Sequence, residues 1–307
     1  MGYLISLCIP TNGVQEWIFP VLDSIFAQNV ENSLFEVVVV DNGNNEQFFR
    51  EMTEYCKGHD NMLYEKTDAP LFLSEIEVYK RAKGEFIKFI NHRTLLKHGT
   101  LMEYISFVRK YQSSRPIVYF ANGSLKLEKE ICEYGSFDEY VRNLSIRSSW
   151  STGMGFWRKD FEKVLKDTVF NELFPHTNIL FGERKRETYI IDNRQLLEEM
   201  PEGGIPKGKY DVFYAFAVEY PALLCDLLRS GDISTDTFLS LKKEVLEFVM
   251  EQYYAYVLRK KKCSYDLSTF EQSIRVFYSK KEANACLHKL ILKYAKKKLC
   301  RKIGGKK

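Results

Sequence analysis

Three apolar runs, each stopped by a polar turn, constrain this chain more than any other feature. Leu4-Ile5-Ser6-Leu7-Cys8-Ile9 stops at Pro10 and the turn Thr11-Asn12-Gly13. The β-branched run Phe35 to Val40 stops at Asp41-Asn42-Gly43-Asn44-Asn45, and Glu85 to Ile90 stops at Asn91-His92-Arg93-Thr94. The Phe35–Val40 run suits a central parallel strand covered on both faces. Between the runs, Trp17, Val21, Ile25 and Phe26 recur at helical spacing. A second helix is expected through about Cys56, and a third over roughly 71–82, ended by Lys83-Gly84. Strands alternating with helices every twenty to thirty residues or so predict an α/β fold, a Rossmann-like, mostly parallel sheet flanked by helices. In such sheets the ligand crevice opens at the carboxyl ends of the strands. The three polar clusters therefore converge on one edge.

Beyond residue 120 the pattern is mixed. Trp150-Ser151-Thr152-Gly153-Met154-Gly155-Phe156-Trp157 is punctuated by glycine and aromatic residues, and Phe174-Pro175-His176-Thr177 follows about twenty residues later. A short strand is expected over 188–192, and long helices over 236–258 and 282–299. No internal repeat is present.

Charge is divided unevenly. From Met250 onward there are 16 Lys/Arg against 4 Asp/Glu, so of the net +4 the tail carries +12 and the preceding residues −8. A basic tail points to an anionic partner, a membrane surface or a polyanionic glycan, with nucleic acid disfavoured because the basic residues sit in no recognised nucleic-acid-binding motif. The seven cysteines are odd in number and form no CxxC pair, which argues against a disulfide framework or a zinc site and fits a reducing compartment. No apolar stretch approaches the roughly 18 residues of a membrane span, and no export signal precedes the first strand. The expected location is cytoplasmic, with peripheral attachment to the inner face of the cell membrane open.

Ile9-Pro10-Thr11-Asn12, then Glu36-Val37-Val38-Val39-Val40-Asp41-Asn42-Gly43, then Ala82-Lys83-Gly84-Glu85-Phe86-Ile87-Lys88-Phe89, in this order and at this spacing, resembles the nucleotide-binding half of family-2 glycosyltransferases. These are inverting enzymes of bacterial surface polysaccharides, teichoic acids included, with the GT-A fold. The resemblance covers about the first 110 residues and continues more loosely through Thr152-Gly153-Met154-Gly155-Phe156, which looks like the family's acceptor-side segment. It implies a GT-A domain with a nucleotide-sugar-binding half over 1–120, an acceptor-side half over 121–230, and a basic helical C-terminal extension over 231–307. It further implies that Pro10, Thr11, Asn12, Asp41 and Asn42 bind the donor, with Thr11 and Asp41 on the nucleoside. The residues themselves leave a plainer alternative: Asp41-Asn42-Gly43 is turn chemistry, and the asparagines cap the next helix.

The sequence departs from the family where an acidic cluster would hold a divalent metal on the diphosphate. That slot reads Asn91-His92-Arg93-Thr94. Mg²⁺ favours carboxylate oxygens, and imidazole suits softer ions, so no metal ligand is assigned, although Mn²⁺ or Mg²⁺ held by other ligands stays open. Arg93 instead offers a permanent charge and a planar fork matched to phosphate oxygens. Three readings follow: a metal-independent transferase using Arg93 or His92, a transferase with metal ligands elsewhere, or a catalytically inactive GT-A-like scaffold that partners an active enzyme.

For the catalytic base, the family's acidic pair is replaced by His176, a residue type suited to accepting a hydroxyl proton; the alternative is a helix-start histidine bonded to backbone. Glu172 and Glu183 are the nearby substitutes, and Asp160 reads as a helix cap. Trp150, Gly153 and Trp157 are candidates for the acceptor side, weighed against tryptophans in the core. Lys207, Lys209 and Tyr210 form a Gly-flexible basic loop that reads as a lid or as plain solvated loop. The function expected is transfer of a sugar from a nucleotide diphosphate sugar, UDP-sugar favoured, to a hydroxyl of a glycan or lipid-linked acceptor. Leu287, Leu290, Ile291, Tyr294 and Leu299 recur at helical spacing among Lys289, Lys293, Lys296, Lys297 and Lys298. Such a stripe either packs on the protein or lies in an anionic membrane interface.

Overall fold

The computed structural model describes residues 2–201 and 209–304, with side chains through Lys296. Two compact units divide at residues 203 and 204.

The first unit is built on a mixed, mostly parallel eight-stranded sheet. Its strands are β1 (Ile5–Thr11), β2 (Phe35–Asp41), β3 (Met62–Lys66), β4 (Phe86–Phe89), β6 (Ile117–Phe120), β7 (Ile131–Tyr134), β8 (Met154–Trp157) and β9 (Tyr189–Asp192), in the order β3-β2-β1-β4-β8-β6-β9-β7. β3, β2, β1 and β4 run parallel, as do β6 and β9. β8 is inserted antiparallel between β4 and β6. A small ribbon pairs β5 (Thr94–Leu96) with β10 (Leu197–Glu199). The sheet runs across residue 120 without a break.

The three runs read from the sequence are β1, β2 and β4, and the expected short strand is β9. The helices between them are α1 (Gln15–Phe26), α2 (Glu46–Cys56), α3 (Leu73–Arg81), α4 (Thr100–Tyr111), α5 (Phe137–Leu144), α6 (Arg158–Asp167) and α7 (Pro175–Leu180). Asn45 caps α2, its Oδ1 accepting from the Gln47 and Phe48 amides at 3.1 Å each. Both faces of the parallel strands are covered, as uninterrupted valine runs require. Ile5, Leu7, Ile9, Val37 and Val39 share one core with Ile18, Val21 and Leu22 of α1 and with Leu101, Ile105 and Val108 of α4. On α3, which packs over β1 and β2, Ile76, Val78 and Tyr79 are buried.

The second unit is helical: α8 (Val212–Tyr214) continues through a π-helical turn, Ala215–Glu219, into α9 (Tyr220–Arg229), followed by α10 (Thr235–Gln252), α11 (Phe270–Phe277) and α12 (Lys280–Gly304). Ser234 caps α10 by accepting from the Thr237 amide. The stripe read on α12 divides. Ala283 and Leu290 are buried and Leu287 half-buried, in a helix that packs on α10, whereas Ile291 and Leu292 are exposed beside Lys289, Lys293 and Lys296. Tyr294 stacks on Tyr254 at 5.1 Å. Leu299, Lys297 and Lys298 lie outside the residues whose side chains are described, as does Lys207 of the basic loop. Lys209 is exposed, and Tyr210 meets Tyr265 edge-on at 5.2 Å. Among the described residues no helix is long and apolar enough to cross a membrane.

Candidate functional site

The carboxyl ends of β1, β2 and β4 bring the polar turns together. After β1 and β2 the two loops nearly touch: a Cβ on Gly43 would lie 2.2 Å from the Asn12 carbonyl oxygen, so only glycine fits there. The Asn42 amide donates to the Thr11 carbonyl at 3.0 Å. Pro10 is half-buried within β1, opposite Val40, and Asn12 is exposed. Thr11 is buried; its Oγ1 accepts from the Gly13 amide at 3.2 Å and lies 3.0 Å from His92 Nδ1.

Asp41 ends β2 and is fully buried. A carboxylate there needs donors, and it has them: the Gly43 amide at 2.7 Å on Oδ1, and on Oδ2 the Tyr64 hydroxyl at 2.9 Å and Lys66 Nζ at 3.0 Å. Lys66 also donates to the Gly43 carbonyl. Asp41 therefore organises the floor of the site from β2 to β3.

Asn91, His92 and Arg93 follow β4. Asn91 Oδ1 accepts from the Arg93 amide at 3.0 Å, closing a tight turn. Burial, helped by the Arg93 charge, pushes the His92 imidazole down to about 4. His92 Nδ1 and the Thr11 hydroxyl share this hydrogen bond at 3.0 Å, which ties the turn after β4 to the end of β1. The Arg93 guanidinium sits over the Trp17 ring at 5.7 Å and 3.7 Å from Glu199 Oε2. A divalent metal fits this slot poorly: its side chains are an amide, an imidazole and a permanent positive charge, with no carboxylate among them. Among the described residues no group of three or more His, Cys, Asp or Glu side chains is placed to hold a metal ion.

The acceptor-side candidates separate. Trp150 is half-buried with the Arg147 guanidinium over its ring at 5.0 Å. Gly153 is buried where a Cβ would lie 2.1 Å from the Tyr119 ring. Trp157 stands at the far end of β8, 2% exposed, donating to the Pro116 carbonyl at 2.9 Å and packed edge-on against Phe86 at 5.0 Å. Because β8 is antiparallel to β4, the end bearing Trp157 faces the start of β4, away from the polar turns. Trp157 is a core residue.

His176 is 4% exposed at the start of α7. Nε2 lies 3.0 Å from the Ser149 carbonyl oxygen, which can only accept, and Nδ1 lies 3.0 Å from Glu75 Oε2 on α3. Both ring nitrogens are occupied, which is the backbone-bonded alternative rather than an open base. Glu183 belongs to the opposite edge of the sheet, with Lys163 and Arg186 each at 3.4 Å; Arg186 bonds the Arg115 carbonyl just before β6. Burial pushes the Glu183 carboxyl up, but Arg186, the Lys185 amide and Lys163 outweigh it and hold it below its usual value. Asp160 caps nothing: it is buried against Arg186 at 2.6 Å. Glu172 is exposed on the loop before α7.

One residue to which the motifs gave no role is Lys88. It is fully buried in β4, its Nζ donating to the carbonyls of Phe89 (2.8 Å), Thr152 and Met154 (3.1 Å each). Burial pulls its ammonium down to about 7, and Asp192 pulls the other way. A lysine inside an otherwise apolar strand is the signal that could have drawn attention to it.

No protein-family model matches the sequence, and no curated protein matches it. Solved structures do resemble the chain. Residues 1–349 of TarS from S. aureus align with a TM-score of 0.58 at 16% identity, covering 84% of this chain and 75% of that one; the longer TarS structure is covered to 46%. The same TarS fragment in complex with UDP aligns at 0.55 and 15% identity, with the same coverage. The mannosyltransferase PcManGT from Pyrobaculum calidifontis, in complex with GDP-Man and Mn²⁺, aligns at 0.53 and 12% identity, covering 93% of this chain and 86% of that one. With its strand order, its flanking helices and these likenesses, the chain has the GT-A fold.

Proposed function

We propose that the chain transfers a sugar from a nucleotide diphosphate sugar, a UDP-sugar first, to a hydroxyl of a glycan or lipid-linked acceptor, with inversion and without a metal. The observation that carries this reading is the convergence of Thr11, Asp41 and Asn91-His92-Arg93 on one edge of a GT-A sheet, with a guanidinium where the fold's metal ligands would stand. Asp41 and Thr11 are assigned to the nucleoside and Arg93 to the diphosphate, whose growing negative charge it would meet as the bond from the anomeric carbon to the diphosphate oxygen breaks. The acceptor oxygen forms the new bond to that carbon, and its proton passes to a base. With His176 doubly bonded and Glu183 at the other edge, Glu172 is the base we assign. TarS and PcManGT, crystallised with UDP or GDP-Man, support the donor class. The exposed Ile291 and Leu292 among lysines on α12 support contact with an anionic membrane surface on the cytoplasmic side, where a lipid-linked acceptor would lie.

A thermal-shift screen of nucleotides tests the reading, since a ligand at 100 times its Kd stabilises the native state by about 2.7 kcal/mol. UDP and UDP-sugars raise the Tm in EDTA as much as in Mn²⁺, and Arg93→Ala weakens UDP more than uridine. A requirement for Mn²⁺ would sink the metal-free mechanism. Binding without sugar release under any acceptor condition would favour the non-catalytic partner, the reading that the occupied His176 ring supports. Glu172→Gln lowers turnover by about 10²–10⁴-fold with donor binding intact if it is the base.

A further inference from the structure

Residues 147–154 form neither long helix nor strand until β8 begins; they run through two short 3-10 turns, Ser145–Ser149 and Ser151–Gly153. Backbone carbonyls in such a stretch must find partners outside a regular ladder. Here side chains from other elements supply them. The Tyr119 hydroxyl lies 2.7 Å from the Arg147 carbonyl and 3.0 Å from that of Trp150. Thr177 Oγ1 donates to the Ser148 carbonyl at 2.9 Å, and His176 Nε2 to that of Ser149 at 3.0 Å. Lys88 holds the carbonyls of Thr152 and Met154. Six carbonyls in eight residues thus lie within 3.1 Å of a donor atom on four buried side chains, the one Tyr119 hydroxyl hydrogen being shared between two of them.

Lys88 has a special place in this set. An ammonium has three donors, and all three are used, on Phe89, Thr152 and Met154. No neutral side chain of similar length offers three. The β4–β8 register pairs Lys88 with Gly155, and the antiparallel direction carries residues 154 to 152 towards the Asn91 turn. The same side chain that stands three residues before the proposed diphosphate slot therefore holds the segment facing it.

We propose that Lys88 is a positioning residue: with Tyr119, His176 and Thr177 it fixes the backbone of 147–154 as a preformed wall beside the strand-end site. That the wall orients the sugar and its acceptor rests on the function proposed above; that Lys88 fixes it does not.

Hydrogen exchange of the full chain, read by mass spectrometry, tests the fixing directly. In Lys88→Met, amides of residues 150–156 exchange at least about tenfold faster, while those of β1 and β2 stay within about twofold of the native chain. UDP affinity, by calorimetry, stays within about threefold, and UDP release from UDP-sugars loses kcat rather than donor KM. Unchanged exchange at 150–156, or equal acceleration throughout, overturns the proposal. Should Lys88→Met fail to fold, Thr177→Val removes only the hydroxyl on the Ser148 carbonyl; faster exchange confined to 147–151 supports a wall held by side chains, and native-like exchange overturns it. Absence of UDP binding to the native chain would sink the nucleotide reading and leave the exchange result to decide on Lys88.

Discussion

Asp41 has a structural place in the strand ends and, in the function proposed, a binding one, and a mutation separates the two only in part. Its carboxylate is buried and accepts from an amide, a phenol and an ammonium, so removal leaves donors arranged around an empty place. Asp41→Ala is expected to cost about 2–4 kcal/mol of stability in urea unfolding, and the folded fraction to bind UDP more weakly by roughly 1–3 kcal/mol in calorimetry. A folded variant that binds UDP like the native chain would remove Asp41 from the site. His92 has a pH signature. Its imidazole is held at about 4 in the folded chain, against about 6.5 when unfolded. A base with a depressed pKa binds fewer protons folded than unfolded, so stability is full above about 6.5 and is lost as pH falls towards 4. The loss from this group is on the order of 3 kcal/mol. His92→Gln, which can still meet Thr11, should flatten that part of the stability–pH curve; an unchanged slope would show that His92 titrates normally. The strand-end placement of Thr11, Asp41 and Arg93 was legible because they follow apolar runs and need no distant partner to be noticed. The setting of Lys88 and His176 was not, because their partners lie 64 and 66, and 27 and 101, residues away.

Among the elements, those with a strong period and a capped end were readable: β1, β2, α2 with its Asn45 cap, and α10 with its Ser234 cap. β8 was not, since four residues with glycine second carry no period, and its place between β4 and β6 is decided by pairing partners far along the chain. α12 shows the limit of reading one face from spacing. Its first turns spend their apolar residues on α10, and the exposed Ile291 and Leu292 come only afterwards. The membrane reading therefore belongs to the later part of the helix. Replacing Ile291 and Leu292 by serine is expected to weaken co-sedimentation with anionic vesicles at low salt while leaving the Tm nearly unchanged, and salt should weaken what remains. If the native chain ignores such vesicles, α12 is a packing element with a solvated basic side.

At the scale of the molecule, composition separated a basic tail from a mildly acidic remainder, and the structure divides the chain into an α/β unit and a helical one. The helical unit begins at 204, and within it α9 packs with α10. Fold class could be read from strand and helix alternation, and the resemblance implied that 1–120 and 121–230 are halves of one domain; which strands join them could not be read, because β8 and β9 pair with β4 and β6 from far along the chain. In the segment at 147–154 the donors come from Lys88, Tyr119, His176 and Thr177, Ser148 and Ser149 bond the carbonyls just before it, and Gly153 contributes through its lack of a side chain. With the wall proposed here, the side chains of Ser151 and Thr152 take no part in the frame, so exchanging them would retune what the proposed site admits while the main chain beneath stays as it is.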